Sequence, residues 1–376
     1  MYSPKTSLRF MLIGLSDTRL DREDMISDFE EVGSLVTTYG GQVYAVLVQN
    51  ASRSDYDTFI GKGKVEEATE LIQKEEIDIV VVTDVIKPSQ IHALKLAFEK
   101  LNPEIIVWDK VSLILEIFSR HAKTSEAKLQ IRLAKMRQMG PRIYGMGMEM
   151  SQQGAGVGTR GLGETNTELM LRHWRNEKRE VQKELSMLID QRQKQIDHRK
   201  AGGLRTISLV GYTNAGKTTL FNRIAGQDDL VEDALFATLD STVNKFYLHG
   251  FNKEVYISDT IGFIKDLPPQ LIEAFKSTLL EATHADVLLH VIDASDPRME
   301  EKIKTVEDIL KEIGIDLTRQ IFVFNKIEKA QNFDKNKILE KYKDHSPQFI
   351  SAKEGAGVDE LLSAVAGVLG SIPQSW

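Results

Sequence analysis

The 376-residue chain contains no cysteine. That absence excludes disulfides, thiolate catalysis and cysteine-ligated zinc or iron–sulfur centres, and it is compatible with a reducing compartment. No apolar run approaches the ~18 residues needed to span a bilayer. Near the N-terminus, Lys5 and Arg9 precede only the short apolar stretch Phe10–Leu15, which ends before Asp17. That is too short for a signal-peptide core and reads as a strand, so a cytoplasmic protein is expected. What the chain does have is ordinary for a globular protein: 41% hydrophobic and 27% charged residues, and a length that implies two or three domains. Net charge is −7, unevenly spread. From Lys110 to Arg205 there are 19 Lys and Arg against 10 Asp and Glu, a surplus of +9 that leaves −16 for the rest. A basic middle points to a polyanionic partner or to a solvated helical hairpin whose charges pair internally.

Residues 1–108 alternate strand and helix patterns. Leu8–Gly14, Val43–Gln49, Ile77–Thr83 and Ile105–Trp108 are apolar and strand-like. Arg22–Tyr39, Lys62–Glu75 and Pro88–Leu101 read as helices between them, the last with proline at its start, where a missing N–H matters least. The alternation predicts a parallel sheet flanked by helices. No acid–base constellation appears there. Gly61-Lys62-Gly63-Lys64 is either an anion-holding helix start or a plain one.

Residues 109–203 change character. Val111, Leu115, Phe118, Ala122, Leu129, Leu133 and Met136 keep a 3/4 spacing that predicts one long helix ending near Gly140-Pro141. Gly145-Met146-Gly147 and the run Gly154–Gly163 then predict a flexible or partner-ordered loop. A second helix is expected from about Thr165 to Lys200, roughly 50 Å long. Its seam of Trp174, Val181, Leu185 and Leu188 would pack against the first helix as an antiparallel hairpin. Arg172, Arg175, Arg179 and Lys183 share one face, either a phosphate-contacting stripe or a solvated face paired with Glu168, Glu180 and Glu184. Ala201-Gly202-Gly203 marks the break before residues 204–376.

That last segment carries the chemistry. Gly211-Tyr212-Thr213-Asn214-Ala215-Gly216-Lys217-Thr218 fits G-x-x-x-x-G-K-[ST], after the strand-like Thr206–Val210 and before a helix opening at Thr219. Glycines let successive backbone N–H groups face phosphate oxygens, and the helix N-terminus favours negative charge. Lys217 reaches the β and γ phosphates and Thr218 holds Mg²⁺. The strand Glu254–Asp259 runs into Asp259-Thr260-Ile261-Gly262, where Asp259 supports Mg²⁺ through water and the Gly262 N–H faces the γ-phosphate. Leu235-Phe236-Ala237-Thr238-Leu239-Asp240 lies between. Thr238 is the favoured second hydroxyl ligand for Mg²⁺, with Thr242 as the competitor. Downstream, the strand Ile321–Phe324 leads into Asn325-Lys326-Ile327-Glu328, and Pro347–Ile350 leads into Ser351-Ala352-Lys353. These match the N-K-x-D and S-A-K elements that read guanine. Glu328 stands where aspartate is usual, so guanine preference is expected to be less strict. Phe263 stands where Ras-type proteins place the glutamine that orients water, so slow unassisted hydrolysis is expected. Asn214 fits GTPases that hold K⁺ beside the phosphates.

Together these residues resemble the HflX family of GTPases. The resemblance covers nearly the whole chain: Gly61–Glu67, the run Thr124–Leu133 with Glu126 and Lys128, Gly158–Thr165, Phe236–Asp240 and Asp259–Phe263. Leu162 and Ser241 replace prolines usual in that family. The resemblance implies three parts: an N-terminal α/β domain over 1–108 with a parallel sheet, an antiparallel helical hairpin over 109–203, and a phosphate-loop G domain over 204–376. It also implies hydrolysis of GTP to GDP with Mg²⁺, Lys217, Thr238 and Gly262 acting on the phosphates. The expected partner is the large ribosomal subunit with its RNA, bound by a monomer in ribosome splitting, rescue or biogenesis. Competing readings are a phosphotransferase with a small-molecule site in the first domain and an RNA-binding module whose nucleotide pocket is only structural.

Overall fold

Four short apolar runs build the first sheet. In the computed structural model these are β1 (Leu8–Ser16), β2 (Gly41–Asn50), β3 (Ile79–Val82) and β4 (Ile106–Asp109). The structure describes residues 7–16, 22–138, 160–226, 235–236, 241–265, 271, 279–330 and 333–373. The strands pair in the order β2-β1-β3-β4, all parallel. Every residue of β3 is buried, as a strand covered on both faces requires. Helices α1 (Arg22–Tyr39), α2 (Lys62–Lys74) and α3 (Pro88–Glu99) form the crossovers. The expected alternation is therefore present, with boundaries shifted by a residue or two.

The hairpin differs from expectation in two places. The single helix expected from Val111 to Met136 is two: α4 (Lys110–His121) and α5, over 125–138. The break at 122–124 has a local cause. Thr124 caps the second helix, its Oγ1 accepting from Ala127 N at 3.2 Å and its carbonyl from Lys128 N at 3.1 Å. A threonine ahead of an apolar run supplies an acceptor that a continuous helix cannot use. The following helix, α6, runs from Arg160 to Ala201 over 42 residues, so Gly161 and Gly163, expected in the glycine-rich loop, lie on helical backbone. Residues 139–159, the rest of that loop, fall outside the described residues. The helices are antiparallel: Arg132 pairs with Glu177, Trp174 Nε1 donates to Met136 O at 3.1 Å, and Arg192 pairs with Glu126.

Contacts divide the chain into two compact units, one of residues 1–120 and 131–181, the other of 121–130 and 182–376. The second unit contains a six-stranded sheet ordered β10-β9-β8-β5-β7-β6. Its strands are β5 (Arg205–Val210), β6 (Thr242–Leu248), β7 (Lys253–Asp259), β8 (Val287–Asp293), β9 (Gln320–Asn325) and β10 (Gln348–Phe349). Only β6 is antiparallel, on the edge against β7. The core joins Ile207, Leu209, Val255, Ile257, Leu289 and Val323 to Phe221 of helix α7 (Lys217–Ala225) and to Leu361 and Val365 of helix Val358–Ser371. Among the described residues no helix is long and apolar enough to cross a membrane.

Candidate functional site

Strand β5 lies between β8 and β7, and α7 begins at Lys217. The chain between them must turn sharply, and Gly216 makes that turn at φ +93. A Cβ there would lie 2.2 Å from Asn325 Nδ2, so only glycine fits. The loop closes around Lys217, which is 6% exposed and donates from Nζ to Tyr212 O at 2.9 Å and Gly211 O at 3.2 Å. Burial pulls this ammonium down to about 8, with Asp259 opposing the shift and Lys326 adding to it. A buried ammonium whose hydrogen bonds go to two neutral carbonyls gains much from an anion placed against it.

The segment after β7 is stitched to this loop. Thr213 N donates to Phe263 O at 2.7 Å, and Phe263 N donates to Gly211 O at 3.1 Å. Gly262 passes so close that a Cβ would meet Thr213 Cα at 2.8 Å and Lys217 Nζ at 3.0 Å. Thr260 Oγ1 donates to Leu209 O at 2.6 Å, Ile261 is buried, and Tyr212 Oη accepts from Lys265 N at 2.7 Å. Phe263 is buried and held by its backbone, which leaves its ring no part in proton or water handling.

Thr218 Oγ1 donates to Asp259 Oδ2 at 2.8 Å. A hydroxyl and a carboxylate side by side at a helix start are hard oxygen donors of the kind Mg²⁺ takes together with phosphate oxygens and water. The Thr213 hydroxyl is buried with no hydrogen-bond partner, a polar atom left in the wall of the same loop. Asn214 is exposed and holds a left-handed φ of 60. Thr219 continues α7. Of the connecting segment, Phe236 is buried at φ 59. Ala237, Thr238, Leu239 and Asp240 lie outside the described residues. Thr242 opens β6 directly opposite Asp259.

The expected base-reading residues meet at the ends of β9 and β10. Asn325 is buried and acts as a rivet: its Nδ2 donates to Ala215 O at 2.8 Å, and its Oδ1 accepts from Ala352 N at 2.8 Å. It joins phosphate loop, strand and Ser351–Lys353 loop in one bonded unit. Ile327 N donates to Ile350 O at 3.3 Å. Ser351 is buried, its Oγ accepting from Glu354 N at 3.2 Å, whereas Glu328 and Lys353 are exposed.

Two participants escaped the sequence reading. Asp293, at the end of β8, accepts from Lys326 Nζ at 2.7 Å and fixes that lysine's stem. Arg223 of α7 donates from Nε to Ala352 O at 2.6 Å and also reaches Lys353 O. The rule that flagged Asp259 and Asn325, a polar residue closing an apolar strand, also flags Asp293. Arg223 has no such signal, since it binds carbonyls that every residue type offers.

Strand order, phosphate loop and strand-end residues define a phosphate-loop GTPase domain. Comparison with known proteins agrees. Three family profiles match in succession: "GTP-binding GTPase N-terminal" over 27–119, "GTP-binding GTPase Middle Region" over 121–199 and "50S ribosome-binding GTPase" over 206–326. The GTPase HflX of Caldanaerobacter subterraneus subsp. tengcongensis is 40% identical over 95% of this chain and 79% of its own length. That of Escherichia coli is 36% identical over 90% and 78%. The chain belongs to the GTPase HflX family. A solved GTP-binding protein of Sulfolobus solfataricus in complex with GDP shares the fold, with TM-score 0.52 and 24% identity over 97% of this chain and all of its own.

Proposed function

We propose that the chain hydrolyses GTP to GDP and phosphate as a partner of the large ribosomal subunit. The observation that carries the catalytic half is the buried Lys217 ammonium beside the Thr218–Asp259 pair. Lys217 and the amides of residues 213–218 cradle the phosphates, and the Gly262 N–H lies alongside. Thr218 would hold Mg²⁺ with Asp259 supporting it through water, and Thr238 would supply the second hydroxyl. When bound, Mg²⁺ neutralises charge on the β and γ oxygens. Asn325, Lys326, Ile327, Glu328 and Ser351–Lys353 surround the base, Asn325 through the loops it rivets. Gly211, Tyr212 and Phe236 shape the walls. Asn214, exposed and left-handed, suits K⁺ coordination through its carbonyl. Equal hydrolysis in potassium and sodium buffers removes that element.

Phe263, buried at the position where Ras-type proteins place the water-orienting glutamine, cannot orient water at the γ-phosphate. Intrinsic turnover is therefore slow, and a partner completes the site, an effect worth roughly 10³–10⁵ in rate, or about 4–7 kcal/mol. The ribosomal half of the proposal rests on the family, whose relatives are named GTPase HflX, on the profile described as ribosome-binding, and on the exposed Arg172, Arg175, Arg179 and Lys183 of α6. The functional division is 1–108, 109–203 and 204–376. Phosphate release with and without purified large subunits tests both halves. A rate that ignores the subunits removes the partner, and no turnover in either case removes the reaction.

A further inference from the structure

Away from the phosphates, the second unit gathers four charged side chains that the nucleotide chemistry does not use. Arg192 and Arg199 come from α6, Glu126 from α5, and Glu281 from the one-turn helix Leu280–Thr283. All are 16% exposed or less, and Glu281 is 4% exposed. Arg192 Nη1 donates to Glu126 Oε2 at 3.0 Å, its Nε lies 3.8 Å from Glu281 Oε1, and its Nη2 donates to Ser241 Oγ. Arg199 Nη2 donates to the same Glu281 oxygen at 2.6 Å. They line a cavity of about 690 Å³ that also includes Tyr256 and Ser241. Two guanidinium groups face two carboxylates, so the cavity has no net sign with which to draw an anion or a metal.

The cluster's place in the fold gives it another use. Ser241 directly precedes β6, and the next residue, Thr242, sits opposite Asp259 in the β6–β7 register. Asp259 in turn accepts from Thr218. Three short steps therefore lead from Arg192 to the pair that would hold Mg²⁺. A planar fork reaches Ser241, Glu126 and Glu281 from three separate nitrogens, a spread that the single nitrogen of an ammonium does not have. Losing one member leaves the others buried without a full set of partners, so the cluster holds together or lets go as a set.

We infer that Arg192 is a positioning residue for GTP hydrolysis. From α6 it fixes the start of β6 against Asp259 through Ser241, and through Glu281 it ties that position to the helix Leu280–Thr283. The inference rests on the GTPase reading above and deepens it by naming the contact through which the helical hairpin and the phosphate end sense each other.

Ser241→Ala removes one acceptor oxygen and little else. It should lower kcat for GTP about tenfold, with GDP affinity within about twofold and the melting temperature unchanged. Arg192→Gln should lower kcat at least as far, and Arg192→Lys should recover only part. The double variant Arg192→Gln/Ser241→Ala should be no slower than Arg192→Gln, because both cut one link. Wild-type kcat and KM in Ser241→Ala would overturn the inference. So would an Arg192→Gln effect that lowers GDP affinity in step with melting temperature. Wild-type protein that turns over no GTP sinks the underlying GTPase reading, whereas active wild type with silent variants sinks this inference alone.

Discussion

The parallel sheet of the first unit and the largely parallel sheet of the second are built by the same rule and put their buried polar groups to different ends. At the end of β4 in the first unit, Asp109 accepts from Ser112 and Gln138, and the adjoining Lys110 pairs with Glu31 at 2.7 Å. Donors and acceptors there answer one another. At the ends of β5 and β7 in the second unit, Lys217 hydrogen-bonds to two carbonyls while its burial outweighs the nearby Asp259 carboxylate, and the Thr213 hydroxyl has no hydrogen-bond partner. Architecture alone distinguishes neither sheet as functional. What marks the second is an ammonium pulled down by its burial and a buried hydroxyl with no hydrogen-bond partner.

The largest expected effect sharpens that contrast. Lys217→Ala should cut GTP turnover by about 10²–10³-fold, read as phosphate release. Its counterpart Lys110→Ala should leave turnover per folded molecule intact but destabilise the first unit by roughly 3–5 kcal/mol, because it breaks the nearly dry ion pair between Lys110 and Glu31. Urea unfolding measures this. Lost turnover in Lys110→Ala at unchanged stability would break the comparison. Next, Gly262→Ala should cost about 10²-fold in kcat/KM, since a methyl group displaces Lys217 or Thr213 by about an ångström.

The pH dependence should be smaller. Burial holds the free-state Lys217 near 8, and phosphates restore its charge, so binding takes up a proton above that value. Nucleotide affinity should be level below about pH 8 and fall about tenfold per unit above it. Calorimetry across pH checks this, and a flat profile to pH 9.5 would contradict it. Smallest is Arg223→Ala, which frees the 352–353 carbonyls. GDP should bind about fivefold more weakly, a loss of roughly 1 kcal/mol, below the ~1.5–3 kcal/mol of a charged hydrogen bond because Arg223 bonds the loop and not the ligand.

The geometry of the Gly211–Thr218 loop and of the Asp259 strand end was legible in the sequence because their motifs need particular residues at fixed spacing: glycines where φ is positive, lysine where a cation is buried, aspartate where a strand stops. The family resemblance and the alternating first sheet were legible for similar reasons, through patterns repeated over many residues. The break at Thr124 was hidden because the apolar spacing continues across it, and only the cap interrupts the backbone. Gly161 and Gly163 read as loop, yet α6 carries both, at about 1 kcal/mol each in propensity, an example of helix continuity overriding local preference. Strand β6 was missed because its half-exposed edge position leaves a weak alternation. Arg223 and Asp293 hold other parts of the site rather than a ligand, and that role leaves no spacing to detect.

Co-sedimentation with purified large ribosomal subunits tests the central claim most directly, comparing wild type with Lys217→Ala, each with GDP and with a non-hydrolysable GTP analogue. The account predicts that wild type pellets more strongly with the analogue than with GDP and that Lys217→Ala loses the difference. Equal pelleting of wild type in both nucleotides, or a nucleotide response preserved without Lys217, would contradict it.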